Sequence, residues 1–128
     1  MGLPRNSRLM AFLATTDAER TTVFYRDTVG LRLVEDSAFV LVFDANGVRV
    51  RVQKVKEVVV PPYTALGWRV SSIADAVNEL ATAGVRFERY EGLPQDDLGI
   101  WRSPSGAQVA WFKDPEGFIL SLTQFQSP

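Results

Sequence analysis

The amino-acid sequence contains one pattern twice, and this internal repeat limits the folds open to the chain. Each copy is predicted to run strand, helix and then three strands. The segments Gly30–Leu33 and Gly84–Phe87 follow the two predicted helices, and the turns Asp44–Gly47 and Asp114–Gly117 both begin with Asp and end with Gly. A duplicated unit of this size predicts two similar modules, because neither alone has enough apolar surface for a stable core.

The elements of the first copy follow from apolar periodicity and turn residues. A helix is predicted from a capping box at Thr16–Glu19 to about Thr28, with Val23 and Phe24 on its buried face. The Asn46-Gly47 pair predicts a tight hairpin. The strands of this copy are predicted over Leu9–Thr15, Leu31–Glu35, Phe39–Phe43 and Val48–Gln53.

The second copy is longer than the first, and the additional residues fall between Tyr90 and Gln108. Ser72 is predicted to cap a helix over Ile73–Ala83. Asp114–Gly117 has the residue preferences of a type I turn between two strands. The strands of this copy are predicted over Leu66–Val70, Val85–Arg89, Val109–Phe112 and Phe118–Leu122, with a short one around Ile100–Arg102. The expected organisation is one domain, residues 1–128, made of module 9–54, linker 55–64 and module 65–124.

Composition excludes several kinds of site. The chain has no His and no Cys, so any metal site would need oxygen ligands and would favour a hard ion. Its net charge is −1, without long runs of one sign, which gives no indication of nucleic acid. Residues 9–14 form an apolar run too short for a signal peptide or a membrane span. We therefore expect a cytoplasmic protein with neither a nucleic-acid nor a membrane partner.

Two motifs carry a resemblance to a known family. The sequences FYRDTVGLRL (Phe24–Leu33) and WFKDPEGFILSL (Trp111–Leu122) resemble the vicinal oxygen chelate superfamily, which includes glyoxalase I, extradiol dioxygenases and bleomycin-resistance proteins. The resemblance extends from Leu9 to Gln124. It implies an α+β fold in which two βαβββ modules pack side by side, each a mixed curved sheet, and enclose a shared cavity. It does not fix a function, because the family contains isomerases, dioxygenases and binding proteins.

The resemblance also implies where the metal enzymes of the family place their ligands. At those four positions this chain has Met10, Arg51, Ala65 and Ser121. None is a good ligand for a divalent metal, and the Arg charge repels one. We therefore predict no metal and no other cofactor.

The same resemblance implies that one face of the first and last strand of each module lines the cavity. Arginine there would offer five fixed donors to a carboxylate or phosphate. Trp111 is either a further aromatic wall or faces the helix. The positions predicted to face inward are Met10, Phe12, Ala14, Arg49, Arg51, Gln53, Ala65, Gly67, Arg69, Ile119, Ser121 and Thr123. The residues predicted to bind a ligand are Phe12, Arg49, Arg51, Arg69, Trp101 and Ser121.

Plainer interpretations of the same residues stay open. Alternation of Arg and Val is also typical of a half-exposed sheet, and the arginines could pair with acids across the cavity or a dimer interface. Core packing is the simpler interpretation of Phe12 and Trp68. Tyr90–Trp101 is either a lid or a surface connection. Its Tyr90, Asp96 and Asp97 are either acid/base candidates or solvated side chains.

Three functions are compatible with these observations. The leading hypothesis is a metal-free protein that binds a small molecule, with a cavity suited to a partly apolar ligand that could be anionic. The second is a glyoxalase-like lyase or isomerase, or a dioxygenase-like enzyme, with an atypical or absent metal site; no catalytic residue is identified. The third is a dimeric interaction module without a small ligand. A homodimer is expected in each case.

Overall fold

Two four-stranded mixed sheets with helices form the α+β fold of this protein, seen in a computed structural model that describes residues 1–126. The chain divides into two compact units, Met1–Val58 and a second that begins at Val59. The first unit contains β1 (Met10–Thr15), α1 (Ala18–Thr22), a π-helical segment (Val23–Thr28), β2 (Arg32–Asp36), β3 (Val40–Ala45) and β4 (Val48–Lys54). The second contains β5 (Thr64–Arg69), α2 (Ile73–Thr82), β6 (Trp101–Arg102), β7 (Gln108–Lys113) and β8 (Ile119–Gln124).

The strand order confirms the duplication. The first sheet has the order β1-β4-β3-β2 and the second has the order β5-β8-β7-β6. In each sheet the first and last strands of the unit are parallel neighbours, and the other neighbours are antiparallel. The repeat in the sequence is therefore a repeat of topology.

The core of the first unit follows the alternation along β4. Val50 and Val52 are fully buried, whereas Arg49 and Gln53 are exposed on the opposite face. Phe43 on β3 is also fully buried. Burial of each such side chain contributes about 1.5–3 kcal/mol, so the valine side of the strand determines which face turns to the core.

The first helix begins one residue later than predicted. The Asp17 carboxylate, and not Thr16, accepts the hydrogen bond from the backbone N–H of Arg20, at 3.1 Å. Thr15 explains the shift, because its hydroxyl accepts from the N–H of Asp17 at 3.0 Å and bonds the Thr21 hydroxyl at 2.8 Å. These contacts keep the chain extended up to Asp17.

The helix then widens, which changes the face that it buries. The N–H of Val29 donates to the carbonyl of Phe24, five residues earlier, as in a π-helix. Tyr25 becomes fully buried, whereas Val23 is 48% exposed. The prediction that Val23 faces the core is wrong, because it assumed the regular α-helical period through Thr28.

Both predicted hairpin turns are present. Asn46 and Gly47 have φ angles of 51° and 97°, the type I′ geometry that an Asn-Gly pair favours. In the second turn Gly117 donates to the carbonyl of Asp114 at 3.0 Å. The buried Asp114 carboxylate also accepts from the N–H groups of Glu116 and Phe118, each at 2.9 Å.

The second helix is also confirmed. The Ser72 hydroxyl caps α2 by accepting from the N–H of Asp75 at 3.3 Å. Ile73 and Val77 lie one turn apart and are both buried, so this helix has a single apolar face. None of the helices within residues 1–126 has the length and apolar character needed to cross a membrane.

The predicted strand over Val85–Arg89 is wrong. This segment keeps one ladder-like bond, from the N–H of Glu88 to the carbonyl of Trp111 at 2.8 Å. The edge strand is instead β6, the short strand that was predicted around Ile100–Arg102. The inserted loop takes the chain away from the sheet after Arg89, whose guanidinium donates to the backbone carbonyls of Asp96 and Asp97 at 2.6 and 2.8 Å.

Candidate functional site

The first sheet places the predicted arginines on the face opposite its core. Register pairs Phe12 with Arg51 across β1 and β4, and pairs Arg51 with Val42 across β4 and β3. Opposed residues of neighbouring strands share a face. We call this side the arginine face; its β1, β4 and β3 positions include Met10, Phe12, Ala14, Arg49, Arg51, Gln53, Val42 and Asp44.

The two arginines of this face have different surroundings. Arg49 approaches the Asp44 carboxylate at 3.6 Å, which is longer than a charge-assisted hydrogen bond. Arg51 is half-buried, and its guanidinium has neither an ion pair nor a hydrogen bond with any group in residues 1–126. Phe12 beside it is 53% exposed, so the core-packing interpretation of Phe12 is wrong. Arg51 is therefore a partly desolvated cation next to an exposed aromatic ring.

The second sheet collects three aromatic side chains on one face. Register places Trp111 opposite Ser121, and the Trp111 ring lies 5.4 Å from Tyr90 and 6.1 Å from Trp101 between centroids. Trp111 is thus on the side of Ser121 and away from the helix. Trp68 is on the other side, stacked on the buried Phe112 at 6.4 Å, which agrees with its interpretation as a core residue. We call the side with Tyr90, Trp101, Trp111 and Ser121 the aromatic face.

Ser121 occupies the space that a side chain at position 67 would need. A Cβ atom added to Gly67 would lie 2.5 Å from the Ser121 Oγ. The Ser121 residue is 8% exposed, and its hydroxyl has no hydrogen-bond partner in residues 1–126. In the same part of the chain no fully buried side-chain oxygen or nitrogen lacks a partner, so the Oγ keeps contact with solvent. It is an available donor and acceptor on the aromatic face.

Arg69 lies at the end of β5, opposite Thr123 of β8. Its guanidinium carbon is 5.1 Å from the centroid of the Phe125 ring, a cation–π contact. Within the described residues Arg69 has no ion pair. Its N–H groups therefore stay available to an anion.

Tyr90 is the one sequence-predicted acid/base candidate that lies on the aromatic face. Burial raises the pKa of its phenol, and the negative charge of nearby Glu88 raises it further. Glu88 is itself 3.6 Å from the Lys113 ammonium. A phenol with a raised pKa stays protonated at neutral pH, so Tyr90 can donate a hydrogen bond but cannot act as a base.

Of the two aspartates of the inserted loop, Asp96 has a structural role and Asp97 is exposed to solvent. The Asp96 carboxylate accepts from the N–H groups of Leu98 and Ile100, both at 2.9 Å. The Gln95 amide donates to the carbonyls of Glu88 and Gly99, at 2.9 and 2.8 Å. These bonds tie the loop to itself, which favours a surface connection over a lid.

The four positions where a metal would be expected do not form a donor set. Met10 and Ala65 are exposed, Arg51 is half-buried and Ser121 is buried, and none supplies an anionic or imidazole ligand. Within residues 1–126 no group of three or more His, Cys, Asp and Glu side chains could hold a metal ion. These residues do not fit a divalent metal.

Sequence reasoning named Trp101 and Trp111 as possible aromatic walls but missed that Tyr90 packs against Trp111. Only part of the cluster had a signal, the strand-turn-strand pattern of residues 109–122. Its register has Lys113 opposite Ile119 around a five-residue loop, which places Trp111 opposite Ser121. The position of Tyr90 had no such signal. It depends on the bond from the N–H of Glu88 to the carbonyl of Trp111 and on the Gln95 amide, which bonds both Glu88 and the N–H of Tyr90.

Comparisons with known proteins agree with this architecture. The profile of the Glyoxalase/Bleomycin resistance protein/Dioxygenase superfamily matches residues 8–122. No curated protein matches the chain.

Solved structures extend the likeness to the fold. A lactoylglutathione lyase from Agrobacterium tumefaciens is 14% identical, with a TM-score of 0.72 over 95% of this chain and 96% of its own. A glyoxalase/bleomycin resistance protein/dioxygenase from Nocardioides is 18% identical, with a TM-score of 0.74 over 98% and 87%. A member of the same superfamily from Sphaerobacter thermophilus DSM 20745 is 20% identical, with a TM-score of 0.72 over 92% and 96%. Such low identities establish a common fold and no common activity.

Proposed function

Because the chain belongs to the Glyoxalase/Bleomycin resistance protein/Dioxygenase superfamily, we propose that it is a metal-free protein that binds a partly apolar, anionic small molecule. One observation carries the proposal: the scaffold is retained, while the four ligand positions hold Met10, Arg51, Ala65 and Ser121. In this proposal the protein binds its ligand without a metal, as proteins of the bleomycin-resistance type do. Bleomycin itself is not proposed as the ligand, because that drug is cationic and these faces carry arginine.

The proposed contacts on the first sheet are Phe12, Arg49 and Arg51. The strongest support comes from Arg51, because a partly buried guanidinium without a partner is costly and an anion would satisfy it. A charge-assisted hydrogen bond of this kind contributes about 1.5–3 kcal/mol. The exposed Phe12 ring beside it offers apolar surface to the remainder of the ligand.

The proposed contacts on the second sheet are Arg69, Trp101 and Ser121. The tryptophan rings supply large, rigid apolar surfaces, and the Ser121 hydroxyl is free to bond a polar group. Trp111 and Tyr90 adjoin Trp101 and extend this surface. Such a mixture, mainly apolar with a few placed polar groups, is typical of small-molecule sites.

The enzyme alternative has weaker support. It would need ionisable side chains free to move a proton beside the ligand. On the arginine face Asp44 is 3.6 Å from Arg49, and on the aromatic face the Tyr90 phenol has a raised pKa. A phenol with a raised pKa stays protonated near neutral pH and cannot act as a base.

The proposal includes a cytoplasmic homodimer. Val59 is 86% exposed and Tyr63 is 68% exposed in the segment between β4 and β5, and exposed apolar side chains are common at subunit contacts. The subunit count by native mass spectrometry tests this part of the proposal separately from ligand binding.

Thermal unfolding with added small molecules tests the proposed function. The additives are a set of aromatic and aliphatic carboxylates, the matched neutral alcohols, and Mg²⁺, Mn²⁺, Ni²⁺ and Zn²⁺. We expect a carboxylate to raise the Tm, since a ligand at 100 times its Kd stabilises by about 2.7 kcal/mol. Arg51→Ala should remove that rise, whereas Arg86→Ala, an exposed arginine of the second unit, should not. A saturable rise with a metal, or equal effects of carboxylates and alcohols, would contradict the proposal.

A further inference from the structure

A cavity of about 410 Å³ lies in the first unit, where the start of β1 meets the β3–β4 hairpin. Its lining residues all belong to this unit and are Arg8, Leu9, Met10, Asp44, Gly47 and Arg49. Its volume is within the range of small-molecule sites. Only Arg49 among these residues was predicted from the sequence to contact a ligand.

The charge of this region is positive, although that of the whole chain is −1. Arg8 and Arg49 line the cavity with a single carboxylate, Asp44. Arg32 on β2 is paired in register with Asp44, so a third guanidinium lies on the same face. Glu35, paired with Val42, lies on this face too and offsets Arg32. The two guanidinium groups and one carboxylate that line the cavity itself leave a positive excess, which attracts anions.

The Arg49 guanidinium has N–H donors that its contact with Asp44 does not use. Its contact with Asp44 is a single approach of 3.6 Å, outside hydrogen-bonding distance, and its side chain is 46% exposed. Arg8 has no ion pair with any other described residue. A guanidinium has five N–H donors, so two of them can hold a carboxylate or phosphate group.

The same cavity has an apolar wall. Leu9 is 77% exposed and Met10 is 49% exposed, so both have surface that a ligand could cover. Opposite them, Gly47 adds no side chain, and nothing lies within 4 Å of where its Cβ would be. The cavity can therefore admit an apolar body as well as a charged group.

We propose that this cavity binds a small amphiphilic anion. Arg8 and Arg49 hold its carboxylate or phosphate group, and Leu9 and Met10 cover its short apolar body. The proposal rests on the proposed function and refines it: Arg8 and Arg49 contact the headgroup, and Arg51, two residues along the same face of β4, adds to the positive potential that holds the anion. Asp44 competes with the ligand for Arg49 and weakens its binding.

The test is a ¹H–¹⁵N NMR titration of the full chain with four six-carbon probes: hexanoate, hexyl phosphate, 1-hexanol and hexylammonium. Inorganic phosphate is the fifth probe. The two anionic amphiphiles should shift the Gly47 and Arg49 amides in a saturable manner, and the difference between them identifies the preferred headgroup. Hexanol, hexylammonium and inorganic phosphate should bind at least about tenfold more weakly, because each lacks one of the two interactions.

Three substitutions locate the headgroup. Arg8→Ala and Arg49→Ala should each weaken hexanoate or hexyl phosphate binding by about tenfold. Asp44→Asn keeps a residue suited to the turn and removes the competing charge, so it should tighten binding. Arg86→Ala is the matched control and should leave it unchanged. An unaltered spectrum away from the cavity shows that each variant is folded.

The outcomes separate this inference from the proposed function. Equal binding of hexanol and hexanoate, no effect of Arg8→Ala and Arg49→Ala, or weaker binding in Asp44→Asn would overturn the inference. If a carboxylate stabilises the protein and only Arg51→Ala removes the effect, the subsite is wrong and the proposed function stands. If no carboxylate binds at all, both are wrong.

Discussion

The resemblance to the superfamily implies that Arg51 corresponds to a position where its metal enzymes place a ligand, and a guanidinium there would repel a metal ion. The guanidinium is half-buried between Phe12 and Val42 and has no partner in residues 1–126. An unpaired, partly desolvated charge lowers stability, and a bound anion would offset that cost.

This trade-off can be measured with Arg51→Met. Methionine keeps most of the side-chain volume and removes the charge, so we expect the free energy of unfolding to rise by about 1 kcal/mol in urea melts. Stabilisation by anionic carboxylates should disappear in the same variant. Arg86→Met, on an exposed arginine, serves as the control. A destabilised Arg51→Met protein would indicate that Arg51 is a structural residue.

Tyr90 provides a test by pH. Its folded-state pKa lies above the ordinary value because of burial and the charge of Glu88. Absorbance titration of the parent against Tyr90→Phe should therefore show this phenol ionising above pH 10. Glu88→Gln should lower the Tyr90 pKa toward the ordinary value.

The same shift has a defined effect on stability. Above about pH 10 the unfolded chain loses the Tyr90 proton before the folded chain does, so the free energy of unfolding falls as the pH rises. Below that pH the contribution is fully present. Glu88→Gln should make the fall smaller. A Tyr90 that titrates at or below the ordinary value would contradict its partial burial.

At the scale of elements, the contact between β5 and β8 depends on Gly67 and Ser121. Gly67→Ala would bring a Cβ atom to 2.5 Å from the Ser121 Oγ, which must rotate away, so we expect a loss of about 1 kcal/mol in denaturant unfolding. In a Ser121→Ala background the nearest atoms are at 3.4 and 3.8 Å, which is ordinary contact. There the same substitution should be nearly neutral, and an equal cost in both backgrounds would show that the hydroxyl is not the obstacle.

The turn between β7 and β8 depends on the Asp114 carboxylate. It accepts from the N–H groups of Glu116 and Phe118, and Asp114 is only 6% exposed. Asp114→Ala leaves both donors without this acceptor, and we expect a loss of about 1–3 kcal/mol. Asp114→Asn keeps an acceptor oxygen and should lose less. Chemical unfolding of the two variants under the same conditions makes the comparison, and equal losses would assign the effect to charge.

Elements with a local signal were predictable, and those that depend on distant contacts were not. The Val/Arg alternation predicts β4, and the Asn46-Gly47 pair predicts the turn, because neighbouring residues alone determine both. The π-helical segment Val23–Thr28 has no such signal, because its geometry follows from burying Tyr25 against Phe43, with ring centroids 5.6 Å apart. The 85–89 segment repeats the sequence pattern of β2 but forms no strand. Glu88 has one bond to β7, and its carbonyl accepts from the Gln95 amide of the inserted loop.

At the scale of the whole molecule, the superfamily and the α+β fold could be inferred from the two motifs and the duplicated order of elements. For the candidate site, strand alternation could predict which side chains share a face of a sheet, and nothing more. Alternation placed Arg49 and Arg51 together on one face, and the structure agrees. It could not reveal that the Arg51 guanidinium lacks a partner within residues 1–126, or that Arg8 and Asp44 line one cavity with Arg49. Those facts depend on residues distant in sequence.

The most direct test of a metal-free, ligand-binding function is native mass spectrometry of the full-length protein, purified without chelators and combined with elemental analysis. We expect no divalent metal at a stoichiometric level, and a mass above that of the polypeptide that is released on activation as a small organic anion. The same spectrum gives the subunit count. A stoichiometric divalent metal that survives desalting would contradict the account.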